Sequence, residues 1–99
     1  MTEYLSRLEK LQKAIRETEG VINVLDRRAL EGAYQAFANN PETEIVGSVA
    51  RNLRDVLRGI DLYRYNPAKD ESQILTPRKA LIMAIAALEE IVSSQQKHI

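Results

Sequence analysis

The chain contains no cysteine and a single histidine, His98. Without thiols it can form neither a disulfide framework nor a thiolate metal site. With one imidazole near its end, it offers no Ser-His or Cys-His nucleophile pair and no Glu-x-x-His metal motif. Its four glycines form no phosphate-cradling loop, and no Asn-Gly or Asp-Gly hairpin turn occurs. Long apolar runs are missing too. The longest uncharged one, Ala80 to Leu88, has nine residues, against roughly 20 needed to span a bilayer. The opening Met1-Thr2-Glu3-Tyr4-Leu5 lacks a basic stretch followed by an apolar one, so no signal peptide is expected. Excess charge is also absent: 14 basic residues face 14 acidic ones. No global field draws the molecule onto nucleic acid or anionic lipid, and an electrostatic partner must be met by a local patch.

What remains has a globular composition, 44% hydrophobic and 28% charged, in 99 residues. That length makes one domain. Its apolar residues recur at helical spacing without strict alternation, which predicts an all-α fold. Four helices are expected, over residues 3–18, 22–38, 43–64 and 77–93. In the first, Tyr4, Leu5, Leu8, Leu11 and Ile15 share a face opposite Arg7, Lys10, Lys13 and Glu17. Thr2 is its candidate N-cap, and Gly20 supplies the left-handed residue that follows a helix end. The second carries a wide apolar arc, with Ile22, Leu25, Ala29, Ala33 and Ala36 beside Leu30, Tyr34 and Phe37, and stops at Asn39-Asn40-Pro41. Ile45, Val49, Leu53, Val56, Leu57 and Ile60 line the third, which Asn66-Pro67 ends. Thr76-Pro77 reads as N-cap and first helical residue of the fourth, after a polar linker from Ala68 to Gln73. A polar tail occupies residues 95–99. Short links between the first three helices favour antiparallel neighbours, hence an up-down-up-down four-helix bundle.

No catalytic residue, cofactor site or metal site emerges, no small-molecule substrate is implied, and the expectation is a non-enzymatic binding protein. Two charged features stand out as candidate partner-binding groups. At about 100° per residue, Arg51, Arg54 and Arg58 fall within roughly 60° of one another on the third helix, and Arg64 follows at its end. This row is either a solvated face paired with acidic neighbours or a docking surface for an anionic partner. The second feature is Arg78-Lys79 in the first turn of the fourth helix, where the helix dipole disfavours cations. Either Asp70-Glu71 folds back to offset them or an anionic partner does. Ile82, Met83 and Ala86 lie off the Leu81-Ile85-Leu88-Val92 stripe. They belong either to a central helix touching two others or to an exposed strip for a partner helix or a second copy.

The order of these helices is similar to that of the small bacteriocin immunity proteins of lactic acid bacteria, of the enterocin A and pediocin-like type. The likeness covers about residues 20 to 95 and is closest in the second half. There the chain has a third helix with Val49, Leu53 and Leu57 at four-residue steps. A polar loop follows, then the opening Ile74-Leu75-Thr76-Pro77-Arg78-Lys79-Ala80-Leu81-Ile82. Leu30, Tyr34 and Phe37 resemble the family's leucine-tyrosine pattern in the second helix. The chain departs from that family in its neutral charge and in lacking the glutamine near the start of the last helix. The resemblance implies a cytoplasmic protein that protects the producing cell from a pore-forming class IIa peptide by engaging the bacteriocin-bound mannose permease. Recognition would then fall to the third-helix arginines, the loop from Asn66 to Leu75 and the tail. A membrane-receptor complex is thus the implied partner, with peripheral membrane contact. The competing expectation is a helical adaptor or regulator acting as a homodimer, in one version binding nucleic acid along the arginine row. Net neutrality and the lack of a basic patch interleaved with aromatics argue against nucleic acid.

Overall fold

Apolar spacing and turn chemistry together set four helices. The computed structural model describes residues 2–63 and 72–96 and contains α1 (Thr2–Glu17), α2 (Val24–Asn39), α3 (Ile45–Tyr63) and α4 (Ser72–Gln96). No strand occurs among the described residues. α1 ends into a turn closed by the Val21 amide on the Thr18 carbonyl at 3.0 Å. Gly20 sits in this turn at φ +71°, a conformation in which a Cβ would be strained. Asn23 then caps α2, its side-chain oxygen accepting from the Leu25 amide at 2.7 Å. Between α2 and α3 the side chains of Asn40 and Thr43 accept from the amides of Glu42 and Ile45. These local bonds serve backbone groups that neither helix can satisfy.

Cross-helix contacts fix the directions. Tyr4, in the first turn of α1, reaches Phe37 and Ala38 at the end of α2, so these two run antiparallel. Gln95 near the end of α4 meets Thr43 just before α3, while Arg78 meets Asp61 near the far end of α3. α3 and α4 are therefore antiparallel as well. Each helix packs on its chain neighbours, and α4 closes the ring against α1. The architecture is an antiparallel up-down-up-down four-helix bundle.

The core is continuous and apolar. Leu11, Leu30, Val46, Leu53, Leu81, Leu88 and Ile91 are fully buried, joined by Ala14, Ala33, Phe37, Ala50, Ala84 and Ile85. Each such leucine contributes about 1.5–3 kcal/mol relative to exposure. The one buried polar residue among those described, Thr18, donates its hydroxyl to the Ile15 carbonyl at 2.6 Å. Three residues assigned to apolar stripes are instead exposed: Leu5, Leu25 and Ile45. Each lies at least 80° around its helix from the buried centre at Leu11, Leu30 or Leu53, at about 100° per residue. Val46 and Ala50, nearer that centre, are buried in place of Ile45.

The helix ends depart from expectation most in α4. It begins at Ser72, five residues before the expected start, and Pro77 lies inside it. Thr76-Pro77 is therefore not its cap and first residue. As the sixth residue of α4, Pro77 lies beyond the four amides that have no intrahelical acceptor, so it forgoes the bond to the Gln73 carbonyl and its ring crowds that carbonyl. Helix also extends past residue 93 to Gln96. Gln95 is half-buried, its amide donating to the carbonyls of Pro41 at 2.7 Å and Thr43 at 3.0 Å. It ties α4 to the α2–α3 loop rather than opening a tail; residues 97–99 lie outside the described residues. Elsewhere the shifts are small. Thr2 is the first residue of α1 rather than its cap, α2 starts two residues later than expected, and so does α3.

Candidate functional site

α3 turns its arginines outward because Val46, Ala50, Leu53 and Leu57 hold its opposite side against the core. Arg51, Arg54 and Arg58 are all exposed, but they are not equivalent. The Arg54 Nε donates to Glu89 Oε1 of α4 at 2.6 Å. Arg58 approaches Asp55, one turn back, at 3.8 Å. Arg51 has no carboxylate within ion-pair distance among the described residues. Of these three, Arg54 alone is closely paired, with a Glu89 that comes from 35 residues away in sequence. Arg51 and Arg54 flank a groove of about 340 Å³ between α3 and α4, closed by Glu89, Val92 and Ser93. Gly47 and Ala50 keep its wall low. Arg58 is not part of it, and Arg64 lies outside the described residues.

Arg78 and Lys79 occupy the second turn of α4, not its first, because the helix begins at Ser72. The dipole penalty expected of them falls off within one turn and no longer applies. Arg78 instead donates from Nε to Asp61 Oδ1 of α3 at 2.6 Å, in a partly buried pair. Lys79 is exposed with no ion-pair partner among the described residues. Asp70 and Glu71, expected to offset these cations, lie outside the described residues. The five described candidates therefore do not form one patch: Arg51 and Arg54 share a groove, and Arg78 is engaged in holding α3 to α4.

A second groove, between α1 and α2, is larger at about 510 Å³. Arg16 and Gln12 line it from α1, and Arg28, Glu31, Tyr34 and Gln35 from α2, with Ile15 and Gly32 completing the lining. Arg16 stands in the last turn of α1, where unpaired carbonyls favour a cation. Neither Arg16 nor Arg28 has an ion-pair partner among the described residues, whereas Glu31 approaches Arg27 at 3.7 Å. Two unengaged guanidiniums, a half-buried tyrosine and two amides face the same opening, a donor-rich lining suited to carboxylate or carbonyl groups of a polypeptide. Neither Arg16 nor Arg28 is singled out by the sequence pattern. Folding α1 against α2 about the Gly20 turn brings them together, and that hairpin pairing was the available signal.

Among the described residues, no three His, Asp or Glu side chains converge as metal ligands, and no helix is long and apolar enough to cross a membrane. No protein-family model, curated protein or solved structure matches the chain.

Proposed function

We propose that this chain acts by stoichiometric binding of another polypeptide, without catalysis, through the donor-rich groove between α1 and α2 and the Arg51 side of α3. In its specific form the proposal follows the resemblance set out above. The chain resides in the cytoplasm and protects its host from a pore-forming class IIa peptide by engaging the membrane permease to which that peptide is bound. One observation carries the binding reading: Arg16, Arg28 and Tyr34 share an open groove whose one carboxylate, Glu31, is drawn to Arg27, so that among the described residues neither groove arginine has an ion-pair partner. Arg54 and Arg78, by contrast, are paired across the α3–α4 contact with Glu89 and Asp61. The immunity form rests on the likeness of helix order and of the Ile74-to-Ile82 opening, with no family match behind it.

Co-purification tests the reading. A tagged chain is expressed in a sensitive Gram-positive host and recovered from gently solubilised membranes with and without added class IIa peptide. The expected result is permease recovered only when the peptide is present, with several-fold loss for the double change Arg16→Glu and Arg28→Glu. Recovery of no permease under either condition removes the immunity form. Retention of the permease by the double variant at the level of the original chain removes the groove as its docking site. Nucleic-acid binding would be revealed instead by steeply salt-dependent retention of duplex DNA or RNA.

A further inference from the structure

α4 meets water along a single line. Between Thr76 and Ser93 its exposed residues are Thr76, Lys79, Ile82, Met83, Ala86, Glu90 and Ser93, and the others are buried or half-buried. Ile82 apart, these succeed one another by alternating steps of three and four, the spacing of a coiled-coil seam. The centre of the line is apolar: Met83 on it and Ile82 beside it are 42% and 41% exposed, large values for such side chains midway along a helix. Ion pairs border it, Arg54–Glu89 and Arg78–Asp61 on the α3 side and Lys10–Glu90 on the α1 side. An apolar centre inside a charged rim is the anatomy of a protein–protein contact.

The order of residues along the line selects its occupant. Turned end for end, the line reads onto itself: Thr76 falls opposite Ser93, Lys79 opposite Glu90, and Met83 opposite Ala86. We propose that α4 pairs antiparallel with the α4 of a second copy, about a two-fold axis between Ala84 and Ile85. In such an isologous contact every pairing occurs twice. Two Lys79–Glu90 ion pairs bracket two Met83–Ala86 layers, a long side chain against a short one in each, which lets the helices approach closely. A parallel pairing would set Lys79 against Lys79 and Glu90 against Glu90, so the charges also select direction. Glu90 holds Lys10 of its own chain at 3.0 Å while remaining partly exposed, which leaves its outer side open to Lys79 of the second copy. The contact is one helix wide and belongs to the small, concentration-dependent class. It uses neither the α1–α2 groove nor Arg51, so it stands independently of the proposed function.

Sedimentation of the full chain between roughly 10 µM and 1 mM, the range in which small interfaces exchange, tests the pairing. The original chain is expected to move from monomer toward dimer mass across that range. Lys79→Glu and Glu90→Lys each place like charges opposite one another twice and should weaken association by about tenfold or more. The double variant restores both pairs and should recover the dimer, and an equimolar mixture of the two single variants should form a heterodimer. Ala86→Lys, at an exposed position that the monomer tolerates, should leave only monomer. Circular dichroism confirms that each variant remains helical. Monomer mass for the original chain throughout the range would overturn the proposal. So would a dimer indifferent to Ala86→Lys, which would place association on another face, or a double variant that fails to recover, which would contradict the antiparallel pairing.

Discussion

Single side chains fasten the ends of helices in this bundle. The Tyr4 hydroxyl lies 3.0 Å from the Phe37 carbonyl and 2.8 Å from that of Ala38, and its ring sits 5.0 Å from the Phe37 ring. It thereby serves carbonyls at the end of α2 that have no helical donor. Tyr4→Phe keeps the ring contact and removes the donor. We expect a loss of about 1 kcal/mol, seen as a melting temperature lower by several degrees for a domain of this size. An unchanged melting temperature would mean that water serves those carbonyls equally well. Gly20 is the matching case in the backbone: Gly20→Ala at φ +71° should cost about 1 kcal/mol, although a Cβ there would meet no neighbouring atom. The role of Gly20 was legible in the sequence, because a glycine after a helix end is a local signal. The Tyr4 bond was not, since its acceptors lie more than 30 residues away and nothing local specifies them.

Among the elements, α4 separates local signals from tertiary ones. Thr76-Pro77 has the chemistry of a helix start, yet the helix runs from Ser72 straight through it. At the sixth residue proline costs one bond and crowds a carbonyl, yet the helix runs on, so the local signal was real but not decisive. Pro77→Ala restores an amide that can donate to Gln73 and removes the ring's clash with that carbonyl. The greater freedom of the unfolded chain offsets part of this gain. A net rise in melting temperature of a few degrees is expected, and a fall would show that ring packing outweighs the lost bond. At its other end α4 depends on Gln95. Gln95→Ala removes both bonds to the α2–α3 loop and should cost about 1 kcal/mol, with faster amide exchange at the end of α4. Element type was readable throughout because apolar spacing repeats over several turns. Element ends were less so, since one residue's chemistry competes there with packing supplied from elsewhere.

At the scale of the whole molecule, the sequence carried the bundle but not its charge pattern. Four amphipathic stretches with short links lead to antiparallel neighbours, and Leu53, Leu81 and Leu88 meet at zero exposure as a shared core. Leu53→Ala should cost about 2–5 kcal/mol, a large share of the stability of a domain this small, measurable by urea unfolding. The arginine row on α3 looked like a patch because helical geometry groups Arg51, Arg54 and Arg58. Glu89 and Asp61 are brought to Arg54 and Arg78 only by the α3–α4 packing, so the neutralisation of these cations became visible only in three dimensions. The same long-range pairing assembles Arg16 and Arg28 into one groove. Arg54→Ala, at an exposed ion pair, should therefore change stability by no more than about 1 kcal/mol.

A protection assay tests the central claim most directly. The chain is expressed in a sensitive Gram-positive strain that is then challenged with a panel of class IIa bacteriocins, alongside the Arg16→Glu, Arg28→Glu double variant. The account predicts raised tolerance to at least one peptide and loss of that tolerance in the double variant at equal expression. Tolerance unchanged across the whole panel, with the folded chain present in the cells, would contradict it.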